Sequence, residues 1–333
     1  MKPYLPRTTY RKKLLLFSSI ILLHIATYSQ HITFGNEKLR IEAGLNFGPT
    51  FFLGDLGGNI GKGGMLFKDV NLELTKMMKG AFISIYPADW IGFRLAAQLT
   101  HVSGQDYIIN TNGISELWRK QRNLDFRSNI LEAYTAVELF PTMMFRKKDN
   151  YEPRLKPYGF VGIGLFHFNP EGSIQNPDGS LSWHKLHPLK TEGQGMQEYS
   201  NKKAYSLTQV NIPMGFGIKY QLSDKVNIAT EFLYRKTFTD YIDDVSTTYI
   251  DPNYFDQYLT AQQSVIARSI HDKTLGIVTP GLTRYAPGDQ RGNSNNNDTY
   301  FSTIIKLGVR MGSVYSSDIQ KRAARQTKCP HFY

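Results

Sequence analysis

The stretch Ile-Gly-Phe-Arg-Leu-Ala-Ala-Gln-Leu-Thr-His, residues 91–101, decides the fold. Ile91, Phe93, Leu95, Ala97 and Leu99 alternate with Gly92, Arg94, Ala96, Gln98 and Thr100. Successive side chains of a strand point to opposite faces, so this period of two gives one apolar and one mostly polar face. Seven other stretches repeat the pattern, at 39–51, 78–86, 129–140, 157–168, 209–222, 226–236 and 300–311. In the first, Leu39, Ile41, Ala43, Leu45 and Phe47 oppose Arg40, Glu42, Gly44, Asn46 and Gly48. In the fourth, Leu131, Ala133, Thr135, Val137 and Leu139 oppose Glu132, Tyr134 and Glu138. In the last, Phe301, Thr303, Ile305, Leu307 and Val309 oppose Ser302, Lys306, Gly308 and Arg310. The stretch at 78–86 is weaker, because both of its faces are fairly apolar.

A soluble sandwich would also alternate, since one face of each sheet meets water. The connections separate the two cases. Those at 52–77, 102–128, 169–208 and 237–299 are long. Those at Pro87-Ala88-Asp89-Trp90 and Ser223-Asp224-Lys225 are tight. Long connections at one end and short ones at the other mark an outer-membrane barrel, and a tilted strand of about 9–11 residues crosses a bilayer. The expectation is an all-β protein, an eight-stranded antiparallel transmembrane β-barrel with outer-membrane lipid around it. Its long loops lie outside and both termini lie in the periplasm of a Gram-negative cell. The turn at 141–156 is the exception among the short ones. It is longer and basic, with Arg146, Lys147, Lys148, Arg154 and Lys156.

The N-terminus reads as an export signal. Arg7, Arg11, Lys12 and Lys13 precede an apolar run at 14–25, and Thr27-Tyr28-Ser29 follows it. About 12 apolar residues are too few for a membrane-spanning helix, and the basic flank and small terminal residues fit a secretory leader. The chain then divides into a signal peptide at 1–29, a barrel at 30–311 and a periplasmic tail at 312–333. The leader carries five basic residues and no acid, so its removal lowers the formal charge from +11 to about +6. A nucleic-acid partner loses its main support.

Inward positions carry Arg40, Arg94, Lys219, Arg235, Lys306 and Arg310 together with Glu42, Glu132, Glu138 and Glu231. Eight strands enclose a space narrow enough for side chains to fill. Isolated buried charge is costly, so these residues are expected to form a salt-bridged plug with no open diffusion pore. Aromatics at strand ends suggest interface girdles, with Tyr86, Trp90, Phe140 and Tyr220 on the inner side and Phe51 and Phe301 on the outer.

No motif supports catalysis or a cofactor. The glycine-rich run at 54–64 fails phosphate-loop spacing, with Leu56 five positions before Gly61 and Gly63 where Ser or Thr should follow Lys62. Gly159, Gly162 and Gly164 lie within a strand and make no dinucleotide fingerprint. His101, Ser103 and Asp106 cluster near the top of the third strand, a grouping common by chance. His184 and His187 lack a third metal ligand. Asp240, Asp243, Asp244, Asp251 and Asp256 are scattered through the last long loop and are expected to solvate it, with weak Ca²⁺ binding as the alternative.

The tail carries Lys321, Arg322, Arg325 and Lys328 and ends Lys-Cys-Pro-His-Phe-Tyr. Cys329 is the one cysteine, so it is either a free thiol or the site of an intermolecular disulfide.

Three segments together resemble the PorG-like outer-membrane barrel family, whose founding member belongs to the type IX secretion machinery. They are Asn46-Phe47-Gly48 through Phe52-Leu53-Gly54-Asp55-Leu56-Gly57-Gly58, the run from Pro157-Tyr158-Gly159 to Phe168-Asn169-Pro170, and the Cys329-Pro330 ending. The third and fourth outer loops are longer here than in that family. The resemblance implies an eight-stranded, non-enzymatic barrel associated with a periplasmic ring of secretion subunits. It implies partner docking by the tail around Cys329 and extends that role to the basic turn at 141–156. A surface-binding barrel, recognising a ligand or adhering through its long outer loops, is the second expectation.

Overall fold

The computed structural model describes residues 39–56, 75–109, 114–144, 153–223, 225–278, 281 and 284–311. Its strands are β1 (Arg40–Leu53), β2 (Lys76–Ala88), β3 (Ile91–Gln105), β4 (Asp125–Leu139), β5 (Leu155–His167), β6 (Glu171–Gln175), β7 (Leu181–Lys185), β8 (Thr208–Gln221), β9 (Val226–Thr237) and β10 (Thr299–Met311). The helices are α1 (Ile114–Arg122), α2 (Pro141–Met144), α3 (Phe255–Tyr258) and α4 (Ala261–His271).

Eight strands run in the order β3-β2-β1-β10-β9-β8-β5-β4, and β3 pairs with β4 to close the ring. Every pairing is antiparallel. The protein is therefore a closed eight-stranded antiparallel β-barrel. Closure leaves no sheet edge, so every strand has a backbone partner on both sides. β6 and β7 form a hairpin joined to the barrel at β4, where Arg127 pairs with Glu171 and stacks on the Trp183 ring and Ser173 donates to Asp125.

The period of two sorts the side chains. Along β3, odd positions from Phe93 to His101 are exposed and even positions from Gly92 to Val102 are buried. Leu45, Leu95, Ile163, Leu165 and Phe216 all face outward, the last 65% exposed. Arg94, Glu132, Glu138, Glu231, Arg235 and Lys306 are all buried inside. A soluble protein has the reverse arrangement. Apolar outside and charged inside is the surface expected where hydrocarbon is the solvent. Among the described residues no helix is long and apolar enough to cross a membrane, which says nothing of a barrel.

Two of the girdle residues behave otherwise. Tyr86 is 5% exposed and Phe140 2%, and both lie inside the barrel, packed edge-to-face with each other. The parity explains Tyr86: it shares the inward face of β2 with Phe82 and Ser84. Trp90 and Tyr220 do face outward. Phe301 lies on the outward parity of β10, yet it is covered by the rings of Phe51 and Phe232. The basic turn also departs from expectation at its end. Lys156 belongs to β5 and is turned into the interior. α2 tucks Met143 against Phe140 beneath the barrel interior.

The third and fourth long connections are packed. The described residues within 169–207 and 238–298 fold over one end of the barrel as a cap with its own apolar core. That core includes Phe168, Leu186, Leu189, Met196, Ile242, Ile250, Phe255, Ala267 and Ile270, and it joins Phe126, Phe166 and Tyr300 of the barrel rim. α4 starts at a capping box, with Thr260 and Gln263 each satisfying the other's backbone N–H, and buries Ala267 and Ile270.

Candidate functional site

The barrel interior and the cap are the two places where charge is gathered. In the interior, Arg94 sits at the centre. Its Nε donates to Glu138 Oε1 at 2.6 Å, and its terminal nitrogens donate to Glu231 at 2.5 and 3.1 Å. Lys306 Nζ lies 2.9 Å from Glu231 Oε1 and 3.7 Å from Glu138 Oε1. Nearer the short-turn end, Lys219 Nζ reaches both oxygens of Glu42 at 3.0 and 3.2 Å and the Tyr86 hydroxyl at 2.7 Å. Tyr86 in turn donates to Glu138 Oε2 at 2.7 Å. Nearer the cap, Arg235 donates to Glu132 at 3.3 Å and to Ser302 Oγ at 2.6 Å, while Asn211 donates to Glu132 Oε1 at 2.6 Å.

Aromatic rings fill the rest. Lys306 lies 4.1 Å above the Phe82 ring and Arg94 4.7 Å from that of Phe160, and Tyr158 donates to Glu231. The packing leaves no slack at Gly217, where a Cβ would fall 2.7 Å from Thr230 O and 2.8 Å from the Glu231 side chain. Four carboxylates thus meet four bases in the packed interior, and Lys156 adds a fifth base toward the short-turn end. Such a network is favourable only when every member has partners, and removing one strands the others. Arg40 and Arg310 stand apart from it. Arg40 pairs with Asp89 at 2.7 Å, partly exposed at the turn end, and Arg310 donates to Gln221 Oε1 at 2.6 Å.

In the cap, two arginines tie the loops together. Arg122, at the end of α1, donates to both oxygens of Asp106 at 2.8 and 2.9 Å, to Asp55 O at 2.6 Å and to Arg291 O at 2.5 Å. One guanidinium therefore fastens the first, second and fourth long connections. Arg291 donates to Glu192 Oε1 and Asp244 O at 2.9 and 2.8 Å, joining the third to the fourth. Glu192 also accepts from Ser246 N and Thr247 N at 3.0 and 2.9 Å. Burial, only partly offset by Arg291, lifts Asp244 to about 6. Burial and nearby Arg291 hold His271 neutral, its pKa brought down to about 3, and its Nδ1 lies 2.7 Å from Thr191 O.

Three aspartates expected to be solvated are not. Asp240, Asp243 and Asp244 are buried, because the last loop folds inward and does not extend into water. Asp251 and Asp256 keep surface roles. The first accepts from Asn253 N and the second pairs with Arg268 at 2.5 Å.

His101, Ser103 and Asp106 are not brought together. The His101 ring faces outward beside Asn129, whereas Asp106 faces inward onto Arg122. His184 and His187 are separately engaged, with Ser182 and Tyr205 O. Arg146, Lys147, Lys148, Lys321, Arg322, Arg325, Lys328 and Cys329 lie outside the described residues, as does the leader. Two features of the cap left signals in the sequence. Thr260-Ala-Gln-Gln263 is a capping-box pattern that announces α4. Asn176-Pro-Asp-Gly179 is turn chemistry, and Gly179 takes φ +82° between β6 and β7.

No protein-family model matches the chain, and no curated protein matches it. Solved barrels of similar form do. A major outer membrane protein from Thermus thermophilus is 8% identical with a TM-score of 0.38, over 83% of this chain and 100% of that one. OprG from Pseudomonas aeruginosa is 13% identical with a TM-score of 0.32, over 84% and 99%. The attachment invasion locus protein Ail of Yersinia pestis, solved with the heparin analogue sucrose octasulfate, is 6% identical with a TM-score of 0.31, over 81% and 99%. At these identities and scores the likenesses carry no argument about function.

Proposed function

We propose that the chain is a non-enzymatic outer-membrane barrel that holds a protein assembly in place and passes no solute through its interior. The observation that carries this reading is the barrel interior. Four carboxylates and four bases are mutually paired among packed aromatic rings, with an apolar belt outside. A filled interior of paired charges supports a fixed anchor, since a channel needs a wet path and an enzyme needs an accessible reacting group. Purified protein in planar bilayers is expected to give no steady conductance; a stable open channel would defeat the reading.

The assembly proposed is the periplasmic ring of a type IX secretion system, on the strength of the PorG-like segments at 46–58 and 157–170 and the Cys329-Pro330 ending. Arg146, Lys147, Lys148, Lys321, Arg322, Arg325 and Lys328 are the proposed docking residues. Cys329 is the candidate for a covalent link. Crosslinking and pull-down from native membranes should recover periplasmic ring subunits, and truncation at 312 should release them while the barrel still assembles. Recovery of no periplasmic protein would defeat this assignment. A non-reducing gel should show a heavier species that Cys329→Ala removes.

The cap favours a second reading, recognition of an extracellular ligand. An ordered surface element of this size, built from the third and fourth long connections, is more than a closed barrel requires. Deleting 238–298 should then abolish ligand binding and leave secretion intact. Loss of secretion with retained surface binding would reverse the choice.

A further inference from the structure

Where β9 and β10 run on past the barrel rim, four aspartates meet: Asp55, Asp240, Asp243 and Asp298. Their positions are held by backbone. Asp298 N donates to Thr239 O at 3.0 Å, which places residues 239 and 298 side by side. Asp243 accepts from Asp55 N and Leu56 N, each at 3.1 Å, and from Val245 N at 3.0 Å. Asp55 Oδ2 accepts from Asn293 N at 2.5 Å, and Asp298 Oδ2 from Ile242 N at 2.8 Å. These amides fix three of the carboxylates without neutralising them.

Asp298 is 1% exposed and Asp240 7%; Asp298 Oδ1 has no hydrogen-bond partner among the described residues, and Asp240 has none of good geometry, the Ser246 hydroxyl alone lying toward it. A buried carboxylate oxygen without a donor is among the costliest features a fold can keep. The wider charge count makes it worse. The cap buries Asp106, Glu192, Asp240, Asp243, Asp244 and Asp298 against Arg122, Arg291 and Lys202. Arg122 is committed to Asp106 and Arg291 to Glu192, while Lys202 donates to Thr248. Only the field of Arg122 reaches toward Asp55 and Asp243.

We propose that Asp240 and Asp298 form the core of a divalent-cation site of the calcium class, with Asp55 and Asp243 supplying further negative field around it. Every donor here is a carboxylate oxygen, and hard cations choose oxygen over nitrogen or sulfur. Among the described residues no three His, Cys, Asp or Glu side chains stand as a ready-made ligand set. Two carboxylates must therefore be completed by backbone carbonyls and water. Calcium accepts six to eight irregular oxygen ligands of that kind, whereas magnesium demands near-ideal octahedral geometry. Protonation is the competing way to relieve the cluster. Burial, together with Asp243 and Asp55, lifts Asp240 to about 9, with Ser246 offsetting only part of the rise.

Terbium luminescence separates the two. Tb³⁺ takes calcium's oxygen sites, and Tyr241 beside Asp240 is a sensitiser. The full chain, folded in detergent micelles at pH 8, should give tyrosine-excited Tb³⁺ emission that Ca²⁺ displaces and Mg²⁺ displaces far less. Asp240→Asn and Asp298→Asn should each lose that emission. Asp256→Asn, a surface carboxylate paired with Arg268, should retain it. Emission that Ca²⁺ does not displace, or that survives both core substitutions, overturns the proposal in favour of protonated carboxyls. Should either core variant fail to fold, the wild-type melting temperature decides: it rises with added Ca²⁺ if the site exists and stays fixed if it does not.

Discussion

The barrel interior and the cap solve the same problem in opposite ways. Both bury charge. In the interior, Glu42, Glu132, Glu138 and Glu231 each face a base within 3.3 Å. In the cap, the carboxylates outnumber the buried bases, and Asp298 Oδ1 has no donor among the described residues. The interior is closed by strands whose register fixes each inward residue to within one position, so partners can be set permanently. The cap is built from long connections, where backbone amides do the holding and charge is left over. Paired charge marks the barrel interior, and carboxylates left over mark the part of the cap proposed to bind a cation.

The comparison breaks first at Arg94. Arg94→Ala leaves Glu138 and Glu231 with Lys306 alone between them, and should cost about 3–5 kcal/mol, the usual penalty for stranding a buried partner. Urea unfolding in micelles, followed by the heat-modifiable gel shift of the barrel, measures it. A loss below about 1 kcal/mol would mean that water reaches the interior.

Arg122→Ala should be the corresponding break in the cap, at about 2–4 kcal/mol for three fastened loops and a stranded Asp106. Its signature differs. Limited proteolysis should cut within 106–124 or 238–298 while the barrel fragment stays folded. Loss of the barrel together with the cap would show that the two regions unfold as one.

The third expectation concerns pH. Asp240, raised to about 9, and Asp243 and Asp298, raised mainly by burial, hold protons in the folded state that the unfolded chain releases near 4. Groups of this kind stabilise below the unfolded pKa and lose that contribution as pH climbs through the folded one. His271, depressed to about 3, acts in the opposite direction, losing stability as pH falls from about 6.5 toward 3. Above pH 7 the aspartates dominate, opposed by Lys202, whose pKa burial brings below its usual value. Metal-free cap should therefore become more protease-sensitive between pH 7 and 9, and Asp240→Asn should flatten the slope. Sensitivity that falls with pH would contradict the buried-acid account.

The smallest effect is at Thr260. Thr260→Ala removes the α4 capping box and should cost about 1 kcal/mol, read as faster amide exchange in the first turn of that helix. The interior should not register it.

The barrel was legible because its rule is local. Alternation such as Phe93, Leu95 and Ala97 against Arg94, Ala96 and Gln98 needs no partner to be read, and it recurs in eight segments of membrane-crossing length. The same parity put Arg94, Glu132, Glu138, Glu231, Arg235 and Lys306 on the inward face. Tyr86 and Phe140 depart from the girdle expectation because position near a strand end says nothing of which way a ring points; for Tyr86 the parity of β2 points inward. The cap was not legible, although the Thr260 box and the Asn176-Pro-Asp-Gly179 turn were there to mark pieces of it.

Period and loop length along one chain were enough to establish a closed barrel with an apolar outside, since lipid imposes its demand on each strand separately. Which base meets which acid, and whether Asp240 would lie in water or beside Asp298, depended on ring closure and on long connections packing over the rim. Those contacts join residues far apart in sequence, from Arg94 with Glu231 to Asp55 with Asn293. No local pattern records such a meeting, because its energy exists only once both segments are in place.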